Sequence, residues 1–234
     1  MTPRLGFIIP SVNVVFEEDA RRVLAGMATA HFSRVRIAAS SEDEIRAMLG
    51  ELPRAAAEIG DLRPDAVCFA CTGGSVLDGP EEDRAVGRTL SELAGAPATT
   101  TGSAVVEALR SLEVRTLALA TPYEEWLTER EASFLVASGF DVIASAGLGI
   151  GGGDELQAVT PEQIKELVRS VDSDTADAVV IGCANLRALE VLVELESELG
   201  KLVVSSNQAA IWRTARLGGA STALPSGGRL FLLG

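Results

Sequence analysis

A repeated order of short motifs constrains the fold of this chain more than any other feature of the sequence. Pro10 and Pro122 each interrupt a short apolar segment, and they are separated by the same number of residues as Cys71 and Cys183. A third pair of matching segments follows later in each half, at a slightly shorter separation. Three matches in the same order indicate that the chain consists of two halves built alike.

Within each half, short apolar segments alternate with segments of helical periodicity. The sequence Thr160-Pro161-Glu162, for example, is typical of a helix start, because a hydroxyl cap is followed by proline and an acid in the first turn. Apolar strands that alternate with helices are typical of βαβ units, whose parallel sheets are covered on both faces. The sequence therefore predicts an α/β protein with two similar lobes.

The positions of these segments predict the boundaries of the lobes. We expect the first lobe to comprise residues 1–108 together with a returning helix at 205–222, and the second lobe to comprise residues 109–204. The tail, residues 223–234, fits neither lobe and is interpreted as an arm, an oligomer contact or a disordered end. The glycine-rich segment 147–160 either closes over the cleft between the lobes or is a plain surface loop.

Composition excludes several classes of function. The net charge of −13 opposes binding to nucleic acids or to anionic lipid surfaces, although local dipoles can still attract a small anion. The sequence contains neither an apolar run of membrane-spanning length nor a signal peptide. Three cysteines do not make a disulfide framework, so we predict a cytoplasmic protein with reduced thiols. One histidine, His31, stands apart from the cysteines, so no metal site is predicted.

In parallel sheets, ligands bind beyond the carboxyl ends of the strands, and two facing lobes would bring these ends into one cleft. The residues expected there are small or carry neutral hydrogen-bonding groups, which suits carboxylates held by N–H and hydroxyl groups. They are Ser11, Asn13, Thr72, Gly73, Gly74, Ser75, Thr101, Ser103, Tyr123, Asn185, Ser206 and Asn207.

Several of these residues also have purely structural explanations. Asn13 could cap the helix that follows it, and Gly73 with Gly74 could form a plain turn. Tyr123 could be a packing wedge rather than a hydroxyl donor. Arg187, the cation nearest to the expected cleft, could form a surface ion pair.

The three cysteines call for different interpretations. Cys71 alone could be a small buried side chain of the core. Cys68 and Cys71 have the spacing of a redox pair. Cys68, however, lies inside the predicted strand and is interpreted as a core residue. Cys71 and Cys183 end equivalent strands, and each precedes a predicted helix whose N-terminus would stabilise a thiolate. Two thiols that face each other can exchange protons on opposite faces of a carbon, or one can attack while the other delivers a proton.

Four segments resemble the aspartate/glutamate racemase superfamily, and in particular its branch of maleate cis-trans isomerases and arylmalonate decarboxylases. The segments are GFIIPSVN at residues 6–13, ACTGGS at 70–75, GCANLR at 182–187 and SSNQAAIW at 205–212. The resemblance covers nearly the whole chain. One departure is Val12, which stands where the isomerases carry a serine.

The resemblance implies two pseudo-symmetric lobes with four-stranded parallel sheets and an active site between them. By position, Cys71 would attack the double bond of maleate and Cys183 would manage a proton at the neighbouring carbon, after which bond rotation and elimination would give fumarate. Tyr123 would donate its hydroxyl group to a carboxylate or to a developing enolate. Neither a metal nor an organic cofactor is used in this family.

The remaining site residues follow from the same resemblance and from their position at strand ends. Asn13 would bind a carboxylate of the substrate, and Thr72 and Ala184 would offer backbone N–H groups. The other predicted contacts to substrate are Ser11, Gly73, Gly74, Ser75, Asn185 and Asn207. We expect the protein to bind a small dicarboxylate or related carboxylic acid and to form a homodimer or a higher homo-oligomer.

Two other functions stay open at the level of sequence. A racemase or an arylmalonate-type decarboxylase would act on a related carboxylic acid, although the decarboxylases keep only the second cysteine. A small-carboxylate binding protein would also have two α/β lobes around a cleft, but it would not need the matched cysteines.

Overall fold

The computed structural model describes residues 2–221 and 227–233, and these residues form two parallel sheets of four strands each. The strands are β1 (Arg4–Pro10), β2 (Thr29–Val35), β3 (Ala66–Phe69), β4 (Ala98–Thr100), β5 (Thr116–Tyr123), β6 (Asp141–Ile150), β7 (Ala178–Ile181) and β8 (Leu202–Ser205). The first sheet has the order β2-β1-β3-β4, and the second has the equivalent order β6-β5-β7-β8. The predicted α/β fold with two similar four-stranded sheets is therefore confirmed.

Helices flank both sheets. They are α1 (Val15–Val23), α2 (Glu42–Gly50), α3 (Leu52–Gly60), α4 (Thr72–Val76), α5 (Pro80–Ala94), α6 (Thr101–Ser111), α7 (Glu125–Ala137), α8 (Asp154–Gln157), α9 (Pro161–Val171), α10 (Leu192–Leu199) and α11 (Ser206–Leu217). Short 3₁₀ turns span Ala188–Glu190 and Arg229–Leu233.

Local sequence explains where these elements begin and how deeply they lie. Thr160 caps the start of α9, as the sequence predicts, and it also forms a reciprocal capping box with Gln163. The inner strands β3 and β7 are buried along their whole length, because helices cover both faces of each parallel sheet. The edge strand β6 alternates between half-buried and exposed residues instead.

The carboxyl ends of the inner strands define the place of the site. Register pairs Phe7 of β1 with Cys68 of β3, and Leu119 of β5 with Val180 of β7. Because the paired strands are parallel, the carboxyl ends of β1 and β3 lie at one edge of the first sheet, and those of β5 and β7 lie at one edge of the second. These two edges meet between the halves of the molecule.

The lobe boundaries at residues 108 and 204 stay a prediction. The helix α11 packs against α6, β3 and β4 of the first sheet's half, and its Trp212 is fully buried.

None of the helices formed by the described residues is long and apolar enough to cross a membrane.

Part of the C-terminal tail has a defined place. Residues 222–226 and 234 lie outside the described residues, but Leu230 and Phe231 are buried. The carboxylate of Glu196 accepts a hydrogen bond from the backbone N–H of Arg229 at 3.0 Å. The interpretation of the tail as a free arm or a disordered end is therefore wrong for residues 227–233, because two apolar side chains anchor it to the core.

Candidate active site

A single cavity lies between the two halves, where the carboxyl ends of both sheets meet. Its wall includes residues from β1, the loop after β2, the ends of β3, β5 and β7, and the segment before α9. They are Pro10, Val12, Asn13, Ile37, Ala39, Ser40, Ile45, Cys71, Thr72, Gly73, Tyr123, Leu127, Gly153, Leu156, Cys183, Ala184 and Asn185.

Cys71 reaches the cavity from the end of β3. Its side chain caps α4, because Sγ accepts a hydrogen bond from the backbone N–H of Gly74 at 3.4 Å. Burial raises the pKa of the Cys71 thiol to about 11, and the N–H groups of Gly74 and Gly73 oppose this shift. The Cys71 thiol is therefore protonated at neutral pH in the free protein. The two backbone N–H groups can stabilise the thiolate once the proton has left.

Cys183 reaches the same cavity from the end of β7. Its backbone has φ +88°, in the left-handed region that residues other than glycine rarely adopt. Sγ accepts a hydrogen bond from the backbone N–H of Asn185 at 3.3 Å. Strain of this kind persists where the surrounding structure enforces it, often at functional sites.

The chain after Cys183 differs from the prediction. A helix was expected to begin directly there, but the next regular element is the 3₁₀ turn Ala188–Glu190, and α10 begins only at Leu192. Within the described residues, no helix therefore begins at Cys183 to stabilise its thiolate. The side chain of Asn185, in this irregular segment, accepts hydrogen bonds from the other half of the molecule instead.

Tyr123 stands beside Cys183. It is the last residue of β5, it is buried, and its hydroxyl group hydrogen-bonds to Cys183. Burial raises the pKa of Cys183 to about 12, while this hydroxyl and the N–H of Asn185 oppose the shift. The pKa of Tyr123 itself lies well above 10, chiefly through burial, so its hydroxyl group acts as a donor.

Asn13 and Asn185 connect the two halves behind the cavity. The Asn13 side chain donates to the carbonyl of Ala184 at 2.9 Å and accepts from the N–H of Phe16 at 2.9 Å. The Asn185 side chain accepts from the N–H groups of Val14 and Val15, at 3.2 and 3.3 Å. We call these contacts the Asn13–Asn185 clasp. Asn13 thus lines the cavity and supports the start of α1, and its binding of a substrate carboxylate stays a prediction.

Four predicted contact residues do not reach the wall of the cavity. Ser11 exchanges hydrogen bonds with the backbone of Ile37, and Asn207 donates to the carboxylate of Asp19 at 2.8 Å. Gly74 packs against an aromatic ring, since a Cβ there would lie 2.8 Å from Phe69. Ser75 is buried within α4.

Among the other sequence candidates, Thr72, Gly73, Ala184 and Asn185 all line the cavity with the two cysteines and Tyr123. Arg187 does not, because it pairs with Glu18 at 2.8 Å. Across residues 2–221 and 227–233, neither a cationic nor an acidic side chain lines this cavity. Cys68, interpreted as core, is fully buried.

Sequence reasoning missed the apolar part of the wall. Ile37, Ile45, Leu127 and Leu156 line it, and their apolar character gave no signal that separates them from ordinary core residues. Leu156 belongs to the glycine-rich segment that was predicted to be a lid or a loop. This segment contacts the first half directly, since the N–H of Ser40 donates to the carbonyl of Gly151 at 2.9 Å.

Known proteins share both the sequence and this architecture. The family model described as arylmalonate decarboxylase matches residues 5–231. Maleate isomerase from Nocardia farcinica is 31% identical over 237 residues, which cover 97% of this chain and 94% of that protein. Arylmalonate decarboxylase from Bordetella bronchiseptica is 30% identical over 233 residues, which cover 98% of this chain and 97% of that protein.

Solved structures give the same result. A cysteine-to-serine variant of the Nocardia farcinica maleate cis-trans isomerase, with a covalently bound succinylcysteine intermediate, superposes with a TM-score of 0.95 at 28% identity and full coverage of both chains. A structure of arylmalonate decarboxylase superposes with a TM-score of 0.83 at 28% identity, covering 98% of this chain and 99% of that chain. Since the match extends from β1 to the last 3₁₀ turn, the chain belongs to the arylmalonate decarboxylase family, in the branch that it shares with the maleate isomerases.

Proposed function

We propose that this protein catalyses the cis-trans isomerisation of maleate to fumarate. The observation that supports this most strongly is the presence of two cysteine thiols, one from each half, on the wall of a single cavity with a tyrosine hydroxyl beside the second. The relatives named maleate isomerase extend over nearly the whole chain and agree with this assignment.

The reaction begins with Cys71. Both thiols are protonated at neutral pH, so one proton must leave the pair before turnover. The Cys71 thiolate, held by the N–H groups of Gly73 and Gly74, then attacks one alkene carbon of maleate. A C–S bond forms, and the π electrons move onto the neighbouring carbon and its carboxylate.

Cys183 completes the addition. Its S–H bond breaks as a C–H bond forms at the neighbouring carbon, which leaves Cys183 as a thiolate and the substrate as a succinyl thioether on Cys71. Rotation about the new single bond turns the carboxylates apart. Cys183 then removes a proton from the same carbon, the C–S bond breaks, and fumarate forms with the Cys71 thiolate restored.

Neutral groups hold the substrate in this scheme. The side chains of Asn13, Tyr123 and Asn185 carry N–H or O–H groups on the cavity wall, whereas the Thr72 hydroxyl donates to Ser206. The Tyr123 hydroxyl faces the developing enolate. Such preorganised donors are effective because burial excludes water from the site.

The experiment that tests this function follows maleate by proton NMR in deuterated water. Fumarate should appear with the wild-type protein and should fail to appear with Cys71→Ser or Cys183→Ser. Cys68→Ala is the matched control, since it removes the third free cysteine outside the cavity. Absence of fumarate with the wild-type protein would reject the function, and full activity in either serine variant would reject the two-cysteine mechanism.

We further propose that the protein is cytoplasmic and forms a homo-oligomer. Its three cysteines are free thiols, which suits a reducing compartment. The exposed side chains of Val136, in α7, and Ile143, in the edge strand β6, support an association between copies. Light scattering of the purified protein measures the number of subunits.

A further inference from the structure

Glu131, in the middle of α7, is a buried carboxyl group that the mechanism above does not use. It is only 3% exposed, and its Oε2 atom has no hydrogen-bond partner among the described residues. A buried and unpaired carboxyl group is costly, because neither water nor a donor stabilises its charge. Its place in the fold therefore needs an explanation.

The carboxyl group of Glu131 lies directly against Gly182, the residue before Cys183. A Cβ at Gly182 would lie 2.7 Å from Oε1 and closer still to Oε2, so glycine leaves the space that the carboxyl group occupies. A negative charge on Glu131 raises the pKa of both Cys183 and Tyr123. The group is thus placed behind the proton-transferring thiol and acts on it through space.

Among the described residues, the elements packed most closely against α7, which are β5, β6 and α4, bring no cation to this carboxyl group. The strand β5 contributes Tyr123, and the end of β7 contributes Cys183. The helix α4 carries no titratable side chain, and β6 carries only Asp141, exposed at its far end. Burial alone raises the pKa of Glu131 to about 8, so the group is protonated at neutral pH.

We propose that Glu131 is a positioning residue that acts on the reaction through Cys183. The protonated form of Glu131 permits the Cys183 thiol to release its proton to the substrate, and ionisation of Glu131 opposes that step. The proposal rests on the proposed function. When the Cys183 S–H bond breaks and the C–H bond of the substrate forms, negative charge remains on sulfur. A neutral carboxyl group behind Gly182 does not oppose this charge, whereas a carboxylate does.

The kinetic test compares Glu131→Gln with Glu129→Gln, which removes an exposed carboxylate two residues away on the same helix. The ratio of kcat in Glu131→Gln to kcat in the wild type should be close to one at pH 6.5. Because ionisation of Glu131 slows only the wild type, this ratio should rise above about threefold by pH 9.5. In Glu129→Gln the ratio should stay constant, and a constant ratio in Glu131→Gln would overturn the proposal.

A second measurement needs no substrate. Iodoacetamide alkylates thiolates, and mass spectrometry of the peptide that contains Cys183 gives the alkylation rate of this residue at each pH. Between pH 8.5 and 10, Glu131→Gln should raise this rate by up to about tenfold. A tenfold rise is the effect of lowering the pKa of the Cys183 thiol by one unit, because the thiolate fraction then increases tenfold. An unchanged rate would overturn the proposal even if maleate is isomerised. A raised rate in a protein that does not isomerise maleate would reject the proposed function and leave the coupling between Glu131 and Cys183 standing.

Folding is controlled separately. Circular dichroism shows whether Glu131→Gln keeps the native fold, and Glu131→Met offers an uncharged side chain of similar length if it does not. Any neutral replacement should produce the same change in the alkylation rate, since the charge and not a specific contact is responsible. Opposite results in two folded neutral variants would contradict this explanation.

Discussion

Cys71 and Cys183 end equivalent strands of two sheets with equivalent strand order, but their surroundings differ. Cys71 caps a helix, and its sulfur accepts a hydrogen bond from the N–H of Gly74. Cys183 has a backbone at φ +88°, precedes an irregular segment, and has Tyr123 and Glu131 as ionisable neighbours. The first half therefore places its thiol at a helix start with N–H donors that can stabilise a thiolate, while the second half places ionisable groups beside its thiol.

The residues that precede the two cysteines also differ. Ala70 precedes Cys71, whereas Gly182 precedes Cys183 at the equivalent position. The buried carboxyl group of Glu131 occupies the space that a Cβ at position 182 would need. The two halves thus share a fold and differ in chemistry.

The largest expected effect tests the division of roles directly. Cys183→Ser should lose about 10²- to 10⁴-fold in kcat, because the proton at the neighbouring carbon is no longer managed. It should also accumulate a covalent adduct on Cys71, which intact-mass spectrometry detects, whereas Cys71→Ser should accumulate none on Cys183. Adducts on both cysteines in the two variants would contradict the asymmetry.

A smaller effect is expected at Tyr123. Tyr123→Phe removes the hydroxyl group that bonds to Cys183 and that, in the proposed mechanism, faces the developing enolate. Loss of such a donor costs about 2.7–4 kcal/mol, or 10²- to 10³-fold in kcat. Thermal unfolding should change little, because the ring stays in place. Wild-type turnover in this variant would remove Tyr123 from the mechanism.

The smallest effect concerns stability at the two residues that precede the cysteines. Gly182→Ala should lower the free energy of unfolding by about 1–3 kcal/mol, because the new Cβ meets the carboxyl group of Glu131. Combining it with Glu131→Ala should relieve this crowding, so the two effects should not add. Ala70→Gly is the control in the other half. Additive losses in denaturant unfolding would show that Glu131 does not occupy the space beside Gly182.

The sequence predicts the fold and the chemical centre of the site well, because both depend on order along the chain. Alternating strands and helices predict the two sheets, and the matched spacing of Cys71 and Cys183 predicts that both line one cleft. The roles of these residues in catalysis, and the lobe boundaries, stay predictions that the experiments above address.

Other features depend on contacts between distant segments, which one sequence does not reveal. Ser11 and Asn207 stand at strand ends as expected, but they bond to Ile37 and Asp19 rather than reach the cavity. Glu131 has the same appearance in the sequence as the exposed Glu129. Only the packing of α7 against β5 and β6 distinguishes the two.

The Asn13–Asn185 clasp has a consequence for the passage of small molecules. Its side chains tie both halves together at the back of the cavity, so this side resists separation. Ser40 meets Gly151 through a backbone hydrogen bond in the glycine-rich segment, whose Gly153 and Leu156 line the cavity. We expect this segment, rather than the clasp, to open when substrate enters and product leaves.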